Sequence, residues 1–474
     1  MIRKFLLKQI KNQMNSTPIG KKVAENLWGK DHSLKASFGK ANKILSPYEE
    51  GFCIDGKNYF MSIPKSRENL LVVGGSGRGK SQIIAIPTLL NAKGKYSIII
   101  NDPSRELSVA TIPYLQSVGY KCSILDFGKK TGSYFNVLDG CRGNLIQMRK
   151  VAKTLVSATS HEKEDFFTLS AEDCITLFIQ YVTESEPYEF QNLANIYYLL
   201  VEYLAGPNAI EQMIATRGSD DVFRKFRALA GMSENTKKSV IASALAALSY
   251  VGCDPILSEI TSRTTIQFEE FRRQPHALFL QIPVGDTKFY ASILSLFYQE
   301  FYRYCFSYLP SAEEKDIFMI MDEFSLLNIQ GYSEIISNAR KFKIPQLLII
   351  QSEALLYAKY GENVAKNILN NCNTKVYFGG LTSEVYDLER ILGNYEYKDK
   401  DTGSMRQRPL LTASEIRELR DEILVLISGE KPLKVPITPA YKQPELLRKL
   451  NLRSQNPQPV ENFTVRYIDL TPFR

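Results

Sequence analysis

A short apolar run followed by a glycine-rich turn constrains the fold of this chain more than any other stretch. Residues 70–73 are Leu-Leu-Val-Val, which predicts a buried parallel strand. The next residues carry the pattern Gly74-x-x-x-x-Gly79-Lys80-Ser81, and apolar residues within 83–89 then predict a helix. Glycines let consecutive backbone N–H groups face an anion, and the first turn of a helix adds more of them. Strand, turn and helix together predict a phosphate-binding loop, whereas the alternative is a structural turn with a chance Lys-Ser pair.

The residues of this loop have expected parts in binding ATP and Mg²⁺. Lys80 is expected to bridge the β- and γ-phosphates, and the Ser81 hydroxyl is expected to hold Mg²⁺. The expected nucleotide-binding residues are Gly74, Gly75, Ser76, Gly77, Arg78, Gly79, Lys80, Ser81 and Gln82.

A second group of candidate residues follows two later apolar runs. The run at 316–321 ends in Asp322 and Glu323. Asp322 is expected to hold Mg²⁺ or its water ligand, and Glu323 is expected to polarise the attacking water. Many strands end in carboxylates, so the acidic pair gains its meaning from the phosphate loop in the same chain. Gln351 ends the run at 346–350 and is expected to sense the γ-phosphate, or else to cap the strand.

Arg340 is the remaining catalytic candidate. It follows the acidic pair by about one helix, which is expected over residues 334–341, and it lies beside Lys341 and Lys343. An arginine that reaches the nucleotide of a neighbouring subunit would act as an arginine finger. The alternative is a solvated basic helix end, which suits the helix dipole.

The order of apolar patterns predicts an α/β fold with a mainly parallel twisted sheet that is interrupted by an all-α domain. Within the helical block, helices are expected at 192–204 and at 233–248, the second capped by Ser233, and Thr412 and Glu415 predict a capping box further on. The expected parts are a basic N-terminal segment (1–43), the first part of a nucleotide-binding domain (44–141), an all-α insertion (142–262), the second part of the nucleotide-binding domain (263–435) and an extended C-terminal tail (436–474) with one strand at 463–468.

Composition narrows the class of protein and its surroundings. The formal net charge of +8 suits a polyanionic partner. The seven cysteines lack a C-x-x-C pair and the three histidines are isolated, which favours a reducing cytosol and disfavours a zinc or disulfide framework. No apolar run approaches the ~18–20 residues of a membrane-spanning helix. Residues 2–14 predict a basic amphipathic helix, which could lie on an anionic membrane surface or pack on protein.

The order of motifs resembles that of the TraG/TraD-type coupling proteins of bacterial type IV secretion and conjugation, which have relatives among the FtsK and HerA DNA motors. The stretches that carry the resemblance are 74–81 (GGSGRGKS), 102–107 (DPSREL), 135–138 (FNVL), 321–324 (MDEF), 337–340 (SNAR), 349–352 (IIQS), 408–412 (RPLLT) and 425–429 (VLISG).

This resemblance implies a RecA-like P-loop ATPase with an all-helical insertion, which assembles as a hexameric ring and moves DNA through its centre. Its partners would be DNA, bound non-specifically and single-stranded or held by a relaxase, and proteins of the secretion system and relaxosome. The resemblance also places Arg340 at the position of the family's trans-acting arginine. The chain would be cytoplasmic, with peripheral contact at the inner membrane through residues 2–14.

The chain departs from the family pattern in ways that keep alternatives open. Family members usually begin with transmembrane helices, and this chain is expected to have none. Arg78 replaces a small residue inside the loop, and Ser104-Arg105 replaces Lys-Gly, which leaves the role of residues 102–106 undefined. One alternative is a soluble DNA-pumping ATPase for segregation, packaging or element mobilisation. Another is a nucleotide-binding recruitment adaptor that does not hydrolyse ATP.

Overall fold

The computed structural model describes residues 35–159, 166–283, 287–398, 403–453 and 463–474. The helix predicted over residues 2–14 lies outside these ranges.

A large, mostly parallel sheet forms the centre of the described chain. The strands are β1 Leu70–Val73, β2 Ser97–Asn101, β3 Lys121–Asp126, β4 His276–Gln281, β5 Ile317–Met321, β6 Gln346–Ile350, β7 Thr374–Tyr377, β8 Asn394–Lys398, β9 Met405–Pro409, β10 Glu422–Ile427 and β11 Leu433–Pro436. Nine of them form one sheet in the order β11-β10-β7-β1-β6-β5-β2-β4-β3, and β8 and β9 form a separate hairpin. From β7 to β3 the neighbours are parallel, whereas β10 is antiparallel to both β7 and β11.

Strand β1 lies near the middle of this sheet because its side chains are apolar on both faces. Leu70 and Val72 pack into one half of the core, and Leu71 and Val73 pack into the other. Both halves are covered by helices, as expected for strands with continuous apolar runs. The carboxyl ends of β1, β6, β5 and β2 consequently meet at one edge of the sheet, where ligands bind in α/β folds.

Helices cover both faces of the sheet. One half of the core includes Leu89 and Leu115 and is bordered by Leu446, from helices that follow β1, β2 and β11. The α-helices outside the helical insertion are Ile63–Ser66, Ile86–Leu90, Glu106–Ser117, Glu270–Arg273, Thr287–Cys305, Tyr332–Asn338, Glu353–Tyr360, Glu362–Asn370, Glu384–Leu392, Ala413–Arg417 and Pro444–Leu450. The capping box predicted at Thr412 is confirmed, since Thr412 Oγ1 accepts a hydrogen bond from Glu415 N and Glu415 Oε2 accepts one from Thr412 N.

The described residues from 145 to 260, between β3 and β4, form a helical block. Its α-helices are Leu145–Thr159, Phe166–Ser185, Leu193–Ala205, Pro207–Arg217, Asp220–Ala230, Glu234–Cys253 and Pro255–Ile260. Ser233 caps its helix as predicted, because its side chain accepts a hydrogen bond from Thr236 N. The segments that enter and leave this helical block pair with each other, with Phe135 N donating to Ile260 O at 2.9 Å and Thr265 N to Tyr134 O at 3.0 Å.

The C-terminal region differs from the sequence-based expectation. The prediction of an extended tail over 436–474 is wrong at Pro444–Leu450, which form a helix. The strand predicted at 463–468 is also wrong, because no strand forms within the described residues 463–470. The tail instead returns to the helical block. The buried side chain of Asn195 donates to Arg466 O at 2.9 Å and accepts from Ile468 N at 3.0 Å. These hydrogen bonds occupy backbone groups that a sheet ladder would have used.

The seven cysteines differ in their exposure. Cys253, at the end of the helix Glu234–Cys253, is exposed, Cys122 is half-buried, and the other five are buried. Burial raises the pKa of the Cys122 thiol to about 12.

Candidate functional site

The phosphate loop lies at the carboxyl end of β1 and is held by the last residue of β6 and the first residue after β7. Gly74 N donates to Ile350 O at 3.2 Å, and a Cβ added at Gly74 would lie 2.8 Å from Phe378 Cβ. Gly77 and Gly79 have φ of +73° and +79°, a backbone region that side chains disfavour. The chain then enters a π-helical turn at Ser81–Ala85 before the helix Ile86–Leu90. The close approach at residue 74 and the positive φ at residues 77 and 79 explain why glycine occupies these three positions.

Lys80 turns back across the loop. Its Nζ donates to Gly74 O at 2.6 Å and to Gly75 O at 3.0 Å. Burial lowers the pKa of Lys80, and the carboxylates of Asp322 and Glu323 oppose this shift. The ammonium group therefore lies between the loop and the acidic pair.

The acidic pair follows β5 and meets the loop. Ser81 Oγ lies 3.4 Å from Asp322 Oδ2, although the two residues are distant in sequence. Burial raises the pKa of Asp322 to about 6, the charge of Glu323 adds to the rise, and Lys80 opposes it. The two stretches expected to share one nucleotide are thus adjacent in the folded chain.

The backbone at Glu323 has an uncommon conformation. Its φ is +52°, in the left-handed region, and Glu323 N donates to Asp322 Oδ1 at 3.2 Å. Asn101, at the end of the neighbouring strand β2, donates from Nδ2 to Asp322 O at 2.5 Å. The turn that carries the two carboxylates is therefore held from the side by a buried amide.

The arrangement fits a nucleotide phosphate and a divalent cation. A hydroxyl and a carboxylate, Ser81 and Asp322, are oxygen donors of the kind Mg²⁺ prefers. The raised pKa of Asp322 also fits, because a nearby cation would stabilise its charged form. No described residue places a heavy atom within 4 Å of a Cβ added at Gly75 or Gly77, beyond the neighbouring residues, so the loop is open on that side. Within the described chain, no group of three or more His, Cys, Asp or Glu side chains forms another candidate metal site.

Gln351 and Arg340 lie at opposite ends of the parallel strands, Gln351 at the carboxyl ends and Arg340 at the amino ends. Gln351 follows β6, which runs between β1 and β5, so it leaves the sheet between the loop and the acidic pair, and its side chain is exposed. The helix expected to reach residue 341 ends at Asn338, and Arg340 Nη1 lies 3.4 Å from Glu68 Oε1, near the amino end of β1. Within one chain Arg340 does not meet the loop. The sensor and finger roles stay predictions.

Residues 102–106, whose role the sequence left undefined, connect the end of β2 to the first turn after the phosphate loop. Asp102 accepts hydrogen bonds from Leu107 N at 3.1 Å and Ser108 N at 2.8 Å, which caps the helix Glu106–Ser117. Glu106 accepts from Gln82 Nε2, on the first turn after the loop, at 2.8 Å. Glu106 lies within the stretch 102–107 that carries the family resemblance, but the sequence assigned it no role. The signal for Asn101 was its position as a polar residue at the end of an apolar run.

Arg78 lies against Gly380, which follows β7. A Cβ added at Gly380 would lie 2.3 Å from a terminal nitrogen of its guanidinium, and Gly380 has a φ of +82°. The larger side chain at this loop position is thus accommodated by a glycine just beyond the strand.

A sheet in which β6 separates the loop strand from the acidic strand, with Lys80 between loop and carboxylates, defines a RecA-like P-loop NTPase fold. Within that class, the chain belongs to the family described as type IV secretory system conjugative DNA transfer, whose model matches residues 10–462. No described helix combines the length and apolar character needed to cross a membrane.

Two proteins named VirD4 have sequences similar to this chain, which is consistent with this family. The protein VirD4 of Agrobacterium fabrum is 25% identical over 439 residues, and VirD4 of Rhizobium rhizogenes is 24% identical over 408. The alignments cover 86% and 80% of this chain, but only 64% and 59% of those relatives' lengths.

Solved structures share the fold. The bacterial conjugative coupling protein TrwBΔN70, in complex with sulphate, superposes with a TM-score of 0.60 at 18% identity, covering 85% of this chain and 92% of that one. The plasmid coupling protein TrwB in complex with the ATP analogue ADPNP gives a TM-score of 0.59 at 17% identity, covering 85% and 93%.

Proposed function

We propose that this chain is an ATPase that couples ATP hydrolysis to moving DNA, or a DNA–protein complex, towards a type IV secretion channel. The observation that carries the proposal is the meeting of the two sequence-distant stretches, with Ser81 Oγ at 3.4 Å from Asp322 Oδ2 and Lys80 beside both carboxylates. The TrwB structures with ADPNP and with ADP and Mg²⁺ support the choice of ligands.

The chain's own residues divide the chemistry. The backbone N–H groups of the loop and the ammonium of Lys80 would bind the phosphates, and Ser81 and Asp322 would hold Mg²⁺. When bound, the ion supplies positive charge that stabilises the phosphate oxygens. The Glu323 carboxylate orients the attacking water and accepts its proton. Gln351, beyond the strand between loop and acidic pair, would contact the γ-phosphate and sense its loss.

Arg340 would act on the neighbouring subunit. It is 66% exposed and lies far from the loop of its own chain, so a ring of subunits could bring it to the next nucleotide. A closed ring repeats one such contact at every interface. We therefore propose a homo-oligomer, a hexamer when active, in which assembly completes each site.

The remaining partners follow from the family and from charge. Lysines and arginines that contact backbone phosphates would bind DNA without sequence preference and with steep salt dependence. Proteins of the secretion system and relaxosome would deliver the cargo. Residues 2–14 would give peripheral contact with the cytoplasmic face of the inner membrane.

The function is tested by ATP hydrolysis with and without DNA. We expect wild-type hydrolysis to rise when single-stranded DNA is added. Lys80→Ala should lose nucleotide binding, whereas Glu323→Gln should retain binding of a fluorescent ATP analogue and lose hydrolysis, by roughly 10²-fold or more. A wild-type protein that binds ATP without turnover would support the recruitment adaptor instead, and a Glu323→Gln variant with normal turnover would remove Glu323 from the mechanism.

The trans role of Arg340 has a separate test. Arg340→Ala should lower turnover by ~10³-fold or more, as loss of an arginine finger does, while the exposed neighbour variant Lys341→Ala should not. Mixing Lys80→Ala with Arg340→Ala subunits should restore activity, because some interfaces then combine an intact loop with an intact arginine. Failure of mixed oligomers to regain turnover would contradict action in trans.

A further inference from the structure

A buried amide outside the catalytic motifs contacts the turn that carries the acidic pair. Asn101 is the last residue of β2, pairs in register with Met321 of β5, and is 1% exposed. Its Nδ2 donates to Asp322 O at 2.5 Å. Asn101 therefore holds the peptide group that joins Asp322 to Glu323.

That peptide group determines where Glu323 points. Glu323 has a φ of +52°, which a residue with a side chain adopts at a cost in energy, and its N–H donates to Asp322 Oδ1. Rotation of the peptide would move the carbonyl away from Asn101 and would change φ at Glu323. The hydrogen bond from Asn101 thus opposes relaxation of the strained turn.

The other end of the Asn101 amide indicates a role beyond packing. Its Oδ1 is buried and accepts no hydrogen bond from the described chain. Burying an unpaired acceptor is unfavourable, so an apolar side chain of similar shape would suit a purely structural position better. A buried polar atom without a partner is rare in folded proteins and calls for an explanation, of which a functional role is one.

The residues after Asn101 extend the connection to the phosphate loop. Asp102 caps the helix that begins at Glu106, and Glu106 accepts a hydrogen bond from Gln82 at the start of the loop helix. The side chains of the segment 101–106 therefore connect the acidic turn to the loop helix by hydrogen bonds.

We propose that Asn101 is a positioning residue, which holds the Asp322–Glu323 peptide so that Glu323 keeps its left-handed conformation and faces the nucleotide. The catalytic part of this proposal rests on the proposed ATPase function. The conformational part rests only on the contacts of the folded chain.

A thermal-unfolding cycle without nucleotide tests the conformational part. Glycine adopts a positive φ freely, so a turn with Glu323→Gly needs no support. We expect Asn101→Leu to lower the melting temperature in the wild-type background and to lower it by less than half as much with Glu323→Gly. Gln346→Met, which removes a buried amide at the amino end of β6, should lower it equally in both backgrounds. Equal effects of Asn101→Leu in the two backgrounds would overturn the proposal.

Steady-state kinetics test the catalytic part. Asn101→Leu, and the near-isosteric Asn101→Asp, which lacks the donor, should each lower kcat by at least about tenfold, as small misplacements do. The affinity for a fluorescent ATP analogue should change less than threefold, and Gln346→Met should keep the wild-type kcat. An unchanged kcat in a folded Asn101 variant would contradict the catalytic part of the proposal. If the wild type itself hydrolyses no ATP, the function fails, while the unfolding cycle still decides the role of Asn101.

Discussion

At the scale of single residues, the loop depends on how closely its backbone approaches Phe378, the residue after β7. Gly74 and Gly75 are adjacent and chemically identical, but only Gly74 faces a neighbour, the Cβ of Phe378. The sequence marks both as members of one motif and does not distinguish them. The difference lies in a contact between strands that are far apart along the chain.

This contrast gives a matched pair of variants. Gly74→Ala should lower the free energy of unfolding by ~1–3 kcal/mol, because its Cβ would overlap the Phe378 side chain. Gly75→Ala should change it by less than about 0.5 kcal/mol, since its Cβ would enter open space. Urea denaturation without nucleotide measures both, and equal losses would contradict the close approach.

Residue chemistry also shows which parts of the site could be predicted from sequence. That Lys80, Ser81, Asp322 and Glu323 lie close together could be predicted, because phosphate and cation chemistry requires those residue types at the ends of apolar strands. Asn101 could not, because its role depends on the register of β2 beside β5. An amide side chain at a strand end can make many different hydrogen bonds, and the neighbouring strand determines which of them forms.

At the scale of elements, apolar strands were predictable and polar elements were not. The strands in the middle of the sheet were predictable because their side chains are buried on both faces, and the helical block because of its helical periodicity. The edge strand β11 was not predicted, because buried and exposed residues alternate along it. The helices Pro207–Arg217 and Asp220–Ala230 were missed because they carry fewer apolar residues, and the hairpin β8–β9 because it is largely exposed. The aromatic and aliphatic residues at 463–468 predicted a strand, but Asn195 of the helical block binds their backbone.

The confirmed capping box provides a prediction at this scale. Thr412→Ala should lower the free energy of unfolding by ~1 kcal/mol, because the N–H of Glu415 loses its acceptor. Thr412→Ser keeps the hydroxyl and should cost less. Thermal or urea unfolding of the two variants compares them directly, and equal costs would mean that the methyl group of Thr412 matters more than its hydroxyl.

At the scale of the whole molecule, the C-terminal residues attach to the helical block. Ile468, Leu470 and Phe473 are buried in the core that this block shares with one face of the sheet. The helix Pro444–Leu450 packs on the opposite face, against the helix Glu106–Ser117. The last part of the chain thus contacts both a helix that covers the sheet and the helical block.

Asn195 contributes two hydrogen bonds to this attachment and gives the prediction for the whole molecule. Asn195→Ala should weaken the docking of the tail by ~1–3 kcal/mol, because Arg466 O and Ile468 N lose their partner in a buried position. Amide hydrogen exchange should then accelerate at residues 466–470. As a control, Arg474→Ala removes the exposed ion pair with Glu202. It should change the exchange rates little, since surface ion pairs contribute little to stability. Unchanged exchange in Asn195→Ala would show that apolar contacts alone hold the tail.

The distribution of the cysteines allows a direct measurement of whether the helical block moves. The thiolate is the reactive form of cysteine, and burial keeps five thiols from solvent and raises the pKa of Cys122 to about 12. A maleimide fluorophore at neutral pH should therefore attach mainly at Cys253, at the end of the helix Glu234–Cys253. The unaltered polypeptide would then carry one optical reporter on its helical block, and its polarisation during ATP turnover would record whether that block reorients with each cycle.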